Sequence, residues 1–159
     1  MPNYRILRRY EIDEREDLIA GIVAEIANCI LHIRLPRLSF IEETWDTSAD
    51  IRLNEPIRGL FHLYRIFILR DLPDDILVTT VSHELRHSWQ SQNGKYCGLR
   101  ERETDANLFS REFDILLGQP SGSKIATRLV TAYGMKCREL SPYIKDVLLN
   151  QGDFRNGAH

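Results

Sequence analysis

The sequence predicts an α+β fold, with a small mixed or antiparallel sheet flanked by helices. Three observations carry that prediction. Leu18, Ile19, Ile22, Ile26 and Ile30 recur at three- and four-residue steps, the spacing of one helix face. Between Gly59 and Arg70 the chain alternates, with Phe61, Leu63, Arg65, Phe67 and Leu69 on one side and His62, Tyr64, Ile66, Ile68 and Arg70 on the other. Such alternation, rich in β-branched and aromatic residues, marks a strand. Beyond it, Val78, Val81, Leu85 and Trp89 return to helical spacing, and helical patterns fill the rest of the chain.

At 159 residues the chain has the length of one domain, and residues 1–159 are expected to form one, with 151–159 a flexible tail. Its 43% hydrophobic and 28% charged content is ordinary for a globular protein. A net charge of −2 gives no bulk electrostatic reason to expect nucleic acid or membrane as a partner. The basic run within Arg5–Arg9 is read as a solvated face. No apolar stretch reaches the roughly 18 residues of a membrane span, and the N-terminus lacks the apolar segment of a secretory signal. Cys29, Cys97 and Cys137 are odd in number, far apart in sequence and without a C-x-x-C pair. They suit reduced thiols in a cytoplasmic protein, with Cys97 a plain thiol rather than a ligand.

Taken in order, Met1–Tyr10 reads as an extended arm or a short strand. Helix one runs from about Asp13 to Leu31, its first turn crowded with acidic residues that suit a helix N-terminus. His32 is read as a boundary residue. Pro36 breaks the chain before a strand over Arg37–Glu43, a polar turn over Thr44–Asp50 and a second short strand over Ile51–Asn54. Gly59–Arg70 is the strongest strand, with His62 and Tyr64 sharing one of its faces. Helix two follows from about Pro73 to Gln92, and Asn93-Gly94 stops it. Helix three spans about Arg100–Leu117, with Ala106, Phe109, Phe113, Leu116 and Leu117 on one face. Helix four is expected from Ser123 to Glu139 and helix five from Pro142 to Asn150.

Helix two carries His83-Glu84-Leu85-Arg86-His87. Residues four apart on a helix stand one above the other, so two imidazoles can address one metal ion. Glu84 turns to the side where a metal-activated water would sit. Zinc accepts nitrogen ligands, keeps a position open and lowers the pKa of its water. A neighbouring carboxylate can take that proton and pass it to a leaving amine. H-E-x-x-H is the sequence mark of this chemistry, and chance would supply it in roughly one such chain in a hundred. The two His lie nearly opposite the apolar stripe, as ligands on a packed helix should. Two surface His on an amphipathic helix are the plainer reading.

A catalytic zinc needs a third protein ligand. Helix three offers Glu101-Arg102-Glu103-Thr104-Asp105-Ala106-Asn107-Leu108-Phe109 in two registers. Glu103 can ligate with Asn107 holding an imidazole N–H, or Glu101 can ligate with Asp105 as the orienting partner. Both Glu lie about a quarter-turn from the apolar stripe, so helical phase leaves both open.

His-Glu-x-x-His followed by Glu-x-x-Ala-Asn-x-Phe resembles the small gluzincins, and most nearly the ImmA/IrrE-type metallopeptidases of phages and mobile elements. The resemblance covers about residues 60–117. Thr80, Val81, Leu85, Ser88 and Trp89 follow the longer zincin pattern, and Arg86 departs from it. The resemblance implies a zincin-like (minigluzincin) core, Zn2+ as cofactor and Glu103 as third ligand beside His83 and His87. It further implies Glu84 as the catalytic carboxylate and Asn107 as the residue that holds an imidazole. In zincins a sheet edge beside the motif helix pairs with an extended peptide, and Phe61–Arg70 is the candidate by chain order. Tyr96, Tyr133, Tyr143 and His159 are unranked candidates for stabilising an oxyanion. The expected function is a zinc-dependent endopeptidase acting on a protein or peptide substrate, with a regulator as one candidate. The alternative is a metal-binding regulatory or interaction module without peptidase activity.

Overall fold

The computed structural model describes residues 14–41, 58–95, 98–118 and 122–150. Among these it has five helices and three strands, an α+β arrangement as expected. The arm at Met1–Tyr10, the turn at Thr44–Asp50, the strand at Ile51–Asn54 and the tail at 151–159 lie outside the described residues. So do Tyr96 and Cys97.

Helix α1, Glu14–Leu31, is apolar on more than one face. Ala20, Val23, Ala24 and Ala27 are buried along with Leu18, Ile19, Ile22 and Ile26, while Ile30 is half exposed. A helix apolar nearly all round belongs inside a fold. Here α1 is the central rod, against which three other helices pack. It ends at His32, a left-handed residue with φ 52° whose N–H bonds Asn28 O at 3.0 Å. The Asn28 side chain caps the next N–H, that of Ile33, at 2.8 Å.

Strands β1 (Arg37–Ile41), β2 (Gly59–His62) and β3 (Arg65–Leu69) form one sheet in the order β1-β3-β2. β1 runs parallel to β3, with Leu38 opposite Ile66; β2 runs antiparallel to it, with Phe61 opposite Ile66. Ile66 and Ile68 are fully buried on one face of β3. The single strand expected over Gly59–Arg70 is therefore a hairpin. Leu63 and Tyr64 reverse the chain with φ 47° and 64°, the pair of positive values that a type I′ turn requires. Nothing in Leu-Tyr announces such a turn, which normally uses Asn-Gly. His62 and Tyr64 do not share a strand face, because the turn separates them.

Helix α2, Asp74–Asn93, begins with Asp74 and Asp75 in its first turn and ends at Gly94, φ 60°. The Gly94 and Lys95 N–H groups both return to Gln90 O, closing the last turn. Val78, Val81 and Leu85 are buried, and Trp89 is partly so, as the apolar stripe predicted. Helix α3, Leu99–Leu116, packs along α2 with Ala106, Phe109 and Phe113 inward. Helix α4, Ile125–Lys136, stops short of the expected Glu139 because the Cys137 and Arg138 N–H groups both turn back to Tyr133 O. Helix α5, Pro142–Asn150, contributes Val147 and Leu148 to the core. None of the described helices is long and apolar enough to cross a membrane.

Candidate metal centre

Two side-chain pairs on α1 fix where the motif helix starts. Arg15 grips the Asp74 carboxylate with both terminal nitrogens, one at 2.6 Å, and both residues are buried. Glu16 takes the Asp71 N–H at 2.7 Å and Arg70 Nη1 at 3.0 Å. The β3–α2 connection is thereby held on α1. At the far end, the Gln92 amide pairs with both the N–H and the C=O of Arg34.

On α2, His83 and His87 project their Nε2 atoms to one point, 3.1 Å apart, with the rings nearly perpendicular. Glu103 on α3 faces them: Oε2 lies 3.0 Å from His83 Nε2 and Oε1 3.1 Å from His87 Nε2. These three residues form a group that can hold a metal ion. Two ligand atoms each about 2.05 Å from one tetrahedral ion lie about 3.3 Å apart. The observed separations are close to that edge, so the donor set fits such an ion. Glu101 is exposed on the first turn of α3 and is not part of the group.

Glu84, beside His83, is 6% exposed and takes a backbone hydrogen bond from Phe61 on β2. Its Oε2 is buried with no hydrogen-bond partner among the described residues. Burial raises its pKa above the ordinary carboxylate value and Glu103 adds to this, against the opposing pull of His87, His83 and the Phe61 N–H. An unpartnered buried carboxylate oxygen is expensive unless something polar comes to it. The position of β2 depends on Gly59, where a Cβ would stand 2.5 Å from Thr80 Cγ2 and 3.1 Å from Glu84 Cγ. Only glycine lets the strand come this close to the carboxylate-bearing turn.

The protonation of His87 follows from its neighbours. Gln90 is buried, and its Nε2 donates to Arg102 O at 2.9 Å and to Asp105 Oδ2 at 2.8 Å. Its Oε1 is therefore the atom 2.9 Å from His87 Nδ1, and Nδ1 must carry the hydrogen. That leaves the Nε2 lone pair free for a metal. Asp105 is held in turn by Arg86, through Nε at 2.7 Å and Nη2 at 3.2 Å. The Arg86 guanidinium lies 3.7 Å over the Trp89 ring and 5.4 Å from that of Phe109. Arg86, the one departure from the zincin flanks, is thus the far anchor of a chain that ends on His87. Asn107, to which the resemblance gave the imidazole, is exposed, and Gln90 holds that position at His87. The signal for Gln90 was a polar residue one turn beyond a His on a helix, which is too common to single out.

Without a metal, the hydrogen bonds from His83 and His87 hold the Glu103 carboxyl well below its ordinary range. For His87, burial opposes the charged ring, but Glu103, Glu84 and Gln90 outweigh it and raise the pKa. Of the oxyanion candidates, Tyr133 is committed elsewhere, donating to Glu25 on α1 at 2.9 Å. Tyr143 is exposed on α5, and Tyr96 and His159 lie outside the described residues. Comparison with protein-family models, curated proteins and solved structures finds no match to this chain.

Proposed function

We propose that this chain is a zinc-dependent endopeptidase with a zincin-like core, similar to the ImmA/IrrE-type enzymes. The observation that carries the reading is the convergence of the His83, His87 and Glu103 donors beside the buried, unpartnered oxygen of Glu84. His83 Nε2, His87 Nε2 and a Glu103 oxygen would hold the ion. Bound there, zinc would polarise a scissile carbonyl and lower the pKa of a water. Glu84 takes that proton and returns it to the leaving amine. A carboxyl whose pKa is raised by burial is better matched to both halves of this cycle than an exposed one.

Substrate backbone would be oriented by β-addition. β3, the strand directly before α2, is central and has both sides paired, so the candidate edge moves to β2. Among the described residues β2 is an edge, and it runs beside Glu84 through Phe61. The substrate is read as a protein in the cytoplasm, such as a regulator. A metal-binding module without peptidase activity is the second reading, favoured by the engagement of Tyr133 with Glu25, which removes one oxyanion donor.

Glu84→Gln separates the two readings. The amide leaves all three metal ligands in place but cannot accept a proton. The purified wild-type chain is expected to bind about one zinc and to cleave peptides from a proteome-derived library, and the variant to bind zinc equally while cleaving none. Equal cleavage by both would remove Glu84 from the mechanism; zinc binding with no cleavage by either would favour the module.

A further inference from the structure

Cys29 and Cys137 are 108 positions apart in sequence, yet their sulfurs stand 3.8 Å apart. Cys29 occupies the last turn of α1, and Cys137 is the residue just after α4. Both are free and exposed. We propose that this pair is a modification site, at which a hydroperoxide closes a reversible disulfide that staples α1 to the end of α4.

Sulfurs at 3.8 Å are already in van der Waals contact, and a bond length of about 2.05 Å requires them to close by less than 2 Å. Cys137 can supply that movement because it is outside the regular helix, with φ −119° and ψ −83°. The neighbours do not compete for the sulfurs. Cys29 Sγ also meets the Glu25 and Lys136 carbonyl oxygens, each at 3.5 Å, longer than a strong hydrogen bond. A thiolate metal site is the rival use of two adjacent sulfurs, but a tetrahedral ion needs more donors. Among the described residues the one group of three or more metal-binding side chains is His83, His87 and Glu103.

Burial and the hydrogen bond with Cys29 push the Cys137 thiol up to about 12. Either sulfur can attack the hydroperoxide first, with the same products. In one order Cys29 attacks. Its thiolate sulfur takes one peroxide oxygen as the O–O bond breaks, and the alkoxide or hydroxide that leaves collects the Cys29 proton. The Cys29 sulfenic acid is then attacked by the Cys137 sulfur. The S–S bond forms as the S–O bond breaks, and water leaves with the Cys137 proton. Two thiols and one hydroperoxide give one disulfide, one alcohol (or water) and one water, so atoms and electrons balance.

The test uses the full chain, reduced, freed of reductant, kept with chelator and treated with hydrogen peroxide. Digestion without reductant followed by mass spectrometry is expected to find the Cys29 peptide joined to the Cys137 peptide. Titratable thiols should fall from three to one, Cys97 remaining. The melting temperature should rise by an amount on the order of 10 °C, because a long loop is closed, and return with dithiothreitol. Cys97→Ser should keep the whole response. Cys29→Ser and Cys137→Ser, both exposed substitutions, should fold and lose the rise, which also separates it from oxidation of the neighbouring exposed Met135. Oxidation that stops at sulfinic acid on Cys29, or a link made only through Cys97, overturns the proposal. So does a melting-temperature rise that survives in Cys29→Ser.

Discussion

Gln90 decides which nitrogen of His87 faces the metal position, and it can do so only because Asp105 and Arg102 hold its amide in one orientation. Gln90→Ala is expected to weaken zinc affinity by about 10- to 100-fold, the usual effect of removing a partner of a ligating imidazole. Asn107→Ala, on the exposed side of α3, should change it little. Competitive chelator titration of the two variants measures this, and the reverse order would return the imidazole to Asn107. The same residues set a pH dependence in the metal-free chain. His87, raised above its ordinary 6.5, contributes stability that is complete below 6.5 and lost as pH rises through the raised value. Glu103, lowered from 4.5, contributes above 4.5 and loses it as pH falls through the lowered value. Their mutual stabilisation is therefore greatest between 4.5 and 6.5. Melting of the chelated protein is expected to show a loss of stability as pH rises above 6.5 that shrinks in Glu103→Gln. An unchanged slope would mean that the two groups are uncoupled.

At the scale of elements, the helices and the first strand, Arg37–Ile41, were legible, and the hairpin after it was not. α1, α2 and α3 fall within about a residue of their expected bounds because each has a long apolar period and clear end signals. The hairpin was missed because Leu63 and Tyr64 carry none of the chemistry its turn prefers, and because both of its strands are apolar, so the alternation ran through the turn. Part of the candidate metal group was legible, since His83 and His87 share one helix. Glu103 needed a resemblance, because helical phase could not tell it from Glu101. Gly59 left no trace in sequence; its meaning lies in the space between β2 and α2. Gly59→Ala sets a methyl 2.5 Å from Thr80 Cγ2 and must push the strand from Glu84 or turn a stiff β-branched side chain. A loss of about 1–3 kcal/mol is expected by urea denaturation. Adding Thr80→Ser, which removes that methyl, should restore part of it. No restoration would show that the strain lies elsewhere.

Across the whole molecule, α1 is the member that other parts are fastened to. Its first turn binds the start of α2 through Asp74, the end of β3 through Glu16, and α5 through the 3.3 Å contact of Arg15 with Leu148 O. Its last turns lie against the end of α4 at Cys29. His83, His87 and Glu103 thus stand on a frame with a buried Arg15–Asp74 joint, whose apolar mass among the described residues is one core cluster. Burial makes the Arg15–Asp74 joint consequential in one direction only. Replacing both partners with apolar groups can be neutral, because two desolvation penalties vanish together; removing one leaves the other charged and buried. Arg15→Met is accordingly expected to destabilise by about 3–5 kcal/mol, and Arg15→Met with Asp74→Leu by clearly less. Urea denaturation of the metal-free proteins measures both. A double variant as unstable as the single one would mean that the guanidinium is needed for its bond to Leu148 O, and that α5 rather than α2 is what this joint secures.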